Sequence, residues 1–493
     1  MKFLKIFAMA TVVLALGAGI ASSQTGSWAP LTNQPPGVTL GPMLQLRDGR
    51  ILVHEEQSGN ARDWWILTPS TTGSYLSGTW TSGGQLPSNY APFYFGSQVL
   101  NDGKTVVIEG GEYNFGTADW TTLGAIGTVS GSTFTWTANS PPSGWGTIGD
   151  AESTVLANGK YMQANCCTPQ NAIFNGPNSW TVTGSVKQPS NDESGFTLLT
   201  TDEVLTVDAK SDPNCSTSTG SELYNQGTGA WRCGPNTVGR LYNPADEELG
   251  AAVLMYNNQV IQFGGNVVAT NVYDVATSAW ANGPVPSGGL DQADGPAALE
   301  PNGKVLAMLS PGLFQSGCQF VEYDPLNPTT LSNTANPANC PSDSSFVGHL
   351  MILPTGQIMF TDLSGTVEIY TPVPGFAAGV KQPFIVSAHT NLPMLPLNNV
   401  LGGYYFNGLT ENNGYGDDYQ GRTNYPLVRL TSYSTAQVYY GITHDESTHS
   451  INPNRVLMTT MFDRPGGLPT GSYKTEVIAN GIVSSNYVVF QAP

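Results

Sequence analysis

Charge is scarce in this 493-residue sequence, where only 11% of residues are Asp, Glu, Lys or Arg. Cations are the scarcest part: 18 Lys plus Arg stand against 36 Asp plus Glu, giving a formal net charge of −18. No excess of cations exists to displace counterions from a phosphate backbone, which argues against a nucleic-acid partner. The acidity suits solubility outside the cell, or attraction of metal cations and cationic ligands. Long apolar runs are missing after the first 20 residues, so no membrane span is expected. What the chain has instead is 57 Gly and 35 Pro among short apolar runs, a text of turns and strands with little helical material.

The N-terminus carries Lys2 and Lys5, an apolar stretch over 7–20 and small residues at Gly19, Ala21, Ser22 and Ser23. That order reads as a secretory signal peptide over 1–23, with a secreted or periplasmic mature chain. No Cys follows the cleavage region, which argues against a lipid anchor. Six cysteines form an even set compatible with disulfides in an exported chain. Local pairing of Cys215 with Cys233 and of Cys318 with Cys340 is the simplest arrangement. Each such loop stabilises by about 3 kcal/mol in the chain-entropy treatment. Cys166 and Cys167 either form an adjacent-residue disulfide or stay as two buried thiols.

One phrase recurs: an apolar strand, a tight turn on Gly, Asn or Asp, and a second apolar strand. The seven copies turn around Gly49, Gly103, Gly159, Asp202, Asn258, Gly303 and Gly356. Asn-Gly and Asp-Gly suit the positive φ of hairpin turns, and flanking Val, Ile and Leu suit strands covered on both faces. Several copies continue into an aromatic residue followed six or seven positions later by Trp: Phe174 and Trp180, Tyr224 and Trp231, Tyr273 and Trp280. This pattern resembles the kelch repeat, in which such rings fill the wedge between blades. The last copy lacks its fourth strand, and GSWAPL around Trp28 supplies one, closing the ring from the N-terminus. The expected fold is therefore all-β: a seven-bladed kelch-type β-propeller over 24–372, then an immunoglobulin-like β-sandwich over 373–493.

The stretch LTENNGYGDDYQGRTNYPLVRL over 409–430, followed by VYYGITHDEST, resembles the start of the C-terminal domain in the galactose oxidase and glyoxal oxidase superfamily. That resemblance implies a propeller with an early-set immunoglobulin-like domain, and a copper-radical oxidase built on a Cys-Tyr thioether, a second Tyr and two His. The resemblance places His449, in THSINPNRV, as one copper ligand on a loop reaching the axis, with His444 as an alternative. The remaining ligand positions carry Leu40, Phe346 and Val347, none of which can serve, and the third strand of the first blade, DWWILTP, has no Tyr. His349 lies two residues beyond Val347, within a strand. Copper is thus less expected than Ca²⁺.

Carboxylates recur just before the innermost strands: Asp150 and Glu152, Asp192 and Glu193, Asp246 with Glu247 and Glu248, Asp294, and Asp343. If the register holds, they converge on one face near the axis. Such a rim could hold Ca²⁺, accept hydrogen bonds from a polyhydroxylated ligand or a cation, or supply a general acid and base. Alternatively these are turn-capping groups solvated at the channel mouth. Trp64, Trp65, Trp120 and Trp145 could stack on sugar rings where exposed, or serve in packing. Together these readings point to a non-catalytic extracellular binding protein, with carbohydrate as ligand. An altered copper oxidase and a hydrolase using the acidic rim are the alternatives.

Overall fold

The computed structural model describes residues 25–56, 61–131, 133–377, 380–388 and 394–493; segment 1–23, expected from the sequence to be a signal peptide, lies outside them. The structure is all-β, with three short 3₁₀ turns as its only helical elements among the described residues. No helix there is long and apolar enough to cross a membrane.

Seven antiparallel sheets form the propeller. Their innermost strands are, in order, Leu40–Gln45, Gly96–Val99, Ser153–Val155, Thr197–Leu198, Leu249–Leu254, Ala297–Leu299 and His349–Ile352. Each neighbours the next, and the seventh returns to the first. The seventh sheet takes its outer strand from the N-terminus: Ser27–Pro30 pairs with Glu368–Thr371, setting Trp28 opposite Tyr370. The Trp28 ring lies 5.0 Å from both Phe320 and Tyr370, and its indole N–H donates to the Ala335 carbonyl at 2.7 Å. The aromatic pairs read from the sequence face each other across their strands, with Phe174–Trp180, Tyr224–Trp231 and Tyr273–Trp280 centroids 5.1, 5.3 and 5.1 Å apart.

The C-terminal strands form one continuous sheet folded over its own core. Val438–His444 makes the corner: its first half pairs with Leu427–Ser432 and its last three residues with Met458–Asp463. A strand that changes sheets in this way turns a sandwich corner. Ile385, Leu401, Val428, Phe462, Val477 and Phe490 fill the space between the two halves. The hairpin turns of the propeller face this domain. Gly49, at φ +76°, sits where a Cβ would be 2.7 Å from the Tyr440 ring, so glycine is required by both conformation and contact. A fully buried ion pair, Arg47–Glu446 at 2.9 Å, ties the two parts together.

Every residue from 409 to 428 is buried, although the segment is among the most polar in the chain. It runs up the propeller axis and back. The innermost strand of each blade is a sheet edge with unpaired backbone groups, and burying such an edge requires a partner for each of them. This loop supplies backbone partners in six blades and meets the third through the Thr154 hydroxyl. Tyr419 O–H donates to the Met43 carbonyl at 2.9 Å, and the Arg422 guanidinium to that of Val99 at 2.7 Å. The Glu411 carboxylate accepts from the Thr154 hydroxyl at 2.8 Å and the Leu198 N–H at 2.7 Å. Thr410 donates to Leu254, Asn412 donates to Leu299, and the Asn413 side-chain oxygen accepts from the Ile352 N–H.

Candidate functional site

The axial loop turns over at Gly416, and its tip delivers Tyr415 and Asp417 to the propeller face opposite the C-terminal domain. There a cavity of about 260 Å³ is lined by Glu112, Asp150, Glu193, Glu248, Asp294 and Asp417 together with Tyr94, Tyr113, Tyr415, Phe314 and Phe346. No Lys, Arg or His is in this lining. Glu193, Asp294 and Asp417 offer oxygens that all lie within 4.8 Å of one another. Asp150, Asp192 and Glu193 form a second such group at the edge. Asp417 is 3% exposed, and one of its oxygens has no hydrogen-bond partner; the same holds for one oxygen each of Asp150, Glu248 and Asp294.

The local backbone is bent to place these groups. Tyr94, Glu193 and Asp294 have φ of 51°, 62° and 47°, a left-handed conformation that costs a non-glycine residue about 1–3 kcal/mol. Each stands in a loop that climbs to the cavity before dropping into an innermost strand. The electrostatics follow from burial of like charges. Burial raises the Glu193 carboxyl well above its ordinary range, with Asp417 and Asp294 adding to it; burial and Asp418 do the same to Asp417, and burial and Glu248 to Asp294. Burial lifts Glu112 and Asp418 to about 7.

Of the residues singled out from the sequence, Asp150, Glu193 and Asp294 meet in this cavity, with Glu248. Asp192 and Glu247 stand at its edge, where both pair with Lys210. Asp246 is held by the Asn266 side chain. Glu152 is wholly buried outside the lining, and Asp343 sits apart with its carboxyl raised to about 7 by burial and Asp362. Asp417, Tyr415, Tyr94 and Glu112 line the cavity without having been singled out from the sequence. The GYGDD string was the available signal.

Beside the cavity runs an open groove of about 580 Å³ with Trp120, Cys167, Pro189, Asp192, Lys210 and Glu247 in its wall. Cys166 and Cys167 are disulfide-bonded to each other, as are Cys215 with Cys233 and Cys318 with Cys340. Trp120 is 43% exposed beside the adjacent-residue disulfide, whereas Trp64 and Trp145 are buried in packing and Trp65 is half-buried.

The histidines correct the sequence expectation. The loop of His449 does not reach the axis: the ring packs on the Gly159 turn, where its Nε2 lies 3.1 Å from the Asn101 amide, because segment 409–428 already fills the channel. His444 is engaged by Asp445 and Asp463. His349 begins an innermost strand at the cavity end, 1% exposed and stacked on Tyr415 with centroids 5.3 Å apart; burial lowers its imidazole to about 3. His349 and His449 therefore stand at opposite ends of the innermost strands and share no metal site.

No protein-family model matches the chain, and no curated protein matches it in sequence. Among solved structures, a fungal alcohol oxidase of the AA5 family, in complex with copper, superposes with a TM-score of 0.52 at 13% identity, covering 95% of this chain and 100% of that one. A streptogramin B lyase covers 71% of this chain and 98% of its own at 9% identity and a TM-score of 0.49. The chain has the galactose oxidase-like fold. The copper-radical group of that fold does not fit these residues. All six cysteines are paired, leaving none for a thioether, Leu40 is wholly buried, and Phe346 contributes a ring to the cavity and its carbonyl to the Tyr415 hydroxyl.

Proposed function

We propose that this is an exported, non-catalytic binding protein that takes a carbohydrate in its axial cavity, with Ca²⁺ held by Glu193, Asp294 and Asp417. The observation carrying the reading is that these three carboxylates approach within 4.8 Å with no cationic side chain in the cavity. Ca²⁺ accepts six to eight oxygen ligands at 2.3–2.6 Å, a reach that suits oxygens so spaced, and sugar hydroxyls can complete its shell. Tyr94, Tyr113, Phe314 and Phe346 offer aromatic faces for a sugar ring, and Trp120 extends the surface along the groove. The three disulfides agree with an oxidising, extracytoplasmic location.

A glycan array with the mature chain in Ca²⁺ and in chelator tests this. Selective binding that disappears in chelator is expected; no glycan bound in either condition sinks the proposal. A second reading, a hydrolase using the same rim, draws on Glu112, whose carboxyl titrates near 7 and would be protonated in a good part of the population as a general acid. Release of reducing ends from a bound glycan, lost in Glu112→Gln, would favour that reading.

A further inference from the structure

A second group of carboxylates lies within the fourth blade, independent of the axial cavity. Asp208 follows the strand Glu203–Val207, Glu222 stands in Ser221–Asn225, and Asp212 belongs to the loop between them. All three are buried, at 2%, 0% and 0% exposure, and their oxygens lie within 4.8 Å of one another. Asp212 accepts the backbone N–H groups of Asn214 at 2.7 Å and Cys215 at 3.2 Å. Glu222 accepts those of Lys187 at 2.7 Å and Gln188 at 3.0 Å. Asp208 accepts nothing: both of its oxygens are buried and unpartnered, and one of them lies within 4.8 Å of an oxygen of each of the other two carboxylates.

No Lys, Arg or His forms an ion pair with any of the three among the described residues. The exposed Lys187 meets Glu222 through its backbone, and the adjoining charged group, Glu152, is another buried carboxylate with both oxygens unpartnered. Three buried acids without an ion-paired cation, one of them with both oxygens free, form an incomplete group, since buried charge is retained where it is paired or coordinates a metal.

We propose that Asp208, Asp212 and Glu222 bind a structural Ca²⁺. The donors are all hard oxygens without imidazole or thiolate, which selects an alkaline-earth ion over zinc or copper. Oxygens within 4.8 Å of one another can all be reached by one ion at Ca–O distances of about 2.4 Å. The ion would fasten loop 209–220, which carries the Cys215–Cys233 bridge, to the connection at Lys187 and Gln188. Lys210 and Ser211 of that loop line the groove beside the axial cavity, so occupancy would also fix the groove wall.

The test uses the full mature chain stripped with chelator and titrated with Ca²⁺ by calorimetry, with metal content read by mass spectrometry. The parent, Asp208→Asn and Asp417→Asn are compared. Asp208→Asn is expected to lose one equivalent of Ca²⁺ that Asp417→Asn retains, which separates this site from the axial one. Parent stoichiometry in Asp208→Asn overturns the proposal. Trypsin cleavage after Lys210 in the parent needs no variant to fold: at Ca²⁺ a hundred times its Kd, the locally open population should fall about 100-fold, and cleavage with it. A cleavage rate unchanged by Ca²⁺ overturns the proposal as well.

Discussion

Replacing Asp417 by Asn should make the chelated protein more stable while removing its axial response to Ca²⁺. The side chain keeps its shape and loses its charge. Asp417 has oxygens within 4.8 Å of those of Glu193 and of Asp294. At an effective dielectric of about 20, each ionised pair at that separation costs about 3.5 kcal/mol, so the two pairs through Asp417 cost about 7 kcal/mol when fully charged. That is comparable with the whole stability of a typical domain, about 5–15 kcal/mol, and the cation-free cluster avoids part of it by keeping protons. A gain of about 2–4 kcal/mol is therefore expected for Asp417→Asn at pH 8 in chelator. Guanidinium denaturation in chelator and in Ca²⁺ measures it. Ca²⁺ should stabilise the parent and, through the axial site, leave Asp417→Asn unchanged; the blade-four equivalent is removed from both proteins with Asp208→Asn as background. A variant less stable than the parent in chelator and equally responsive to Ca²⁺ would refute the reasoning.

Three further outcomes are expected. Glu411→Ala strips the partner from the buried Leu198 N–H and Thr154 hydroxyl and should cost about 2–5 kcal/mol by chemical denaturation; a cost below 1 kcal/mol would deny the axial loop its structural part. Glu300 is raised to about 8 by burial and by the Glu322 charge, so its folded value lies above the unfolded 4.5. Its stabilisation is full below pH 4.5 and is lost as pH rises through 8, so Glu300→Gln should match the parent near pH 4 and exceed it by about 2–4 kcal/mol at pH 9 in a pH series of unfolding curves. Trp120→Ala should weaken glycan binding about tenfold or more, read by titration, with a change in unfolding free energy under about 1 kcal/mol, because the ring is 43% exposed.

The architecture could be read from the chain because its signals are local. Strand, tight turn and strand repeat within about ten residues, and the missing outer strand of the last copy has one match in the Trp28 segment. Convergence of Asp150, Glu193 and Asp294 followed from the same register, since each precedes an innermost strand. Asp417 was not legible, because it comes from more than 100 residues downstream in a segment whose polarity reads as an exposed loop. Its burial makes sense only once seven sheet edges are seen to need hydrogen-bond partners around the axis. Asp192 and Glu247 flank cavity residues and both pair with Lys210, a partner far from either in sequence; Asp192 also keeps an oxygen within 4.8 Å of those of Asp150 and Glu193. The blade-four acids escaped notice because a disulfide-bridged loop separates them in the chain.

Crystals of the chelated protein soaked with a lanthanide, which replaces Ca²⁺ and scatters anomalously, test the axial assembly most directly. An anomalous peak bounded by Glu193, Asp294 and Asp417 at the tip of loop 409–428, absent from Asp417→Asn, is expected. A parent map with no peak in that cavity, while the crystals bind the ion elsewhere, would contradict it.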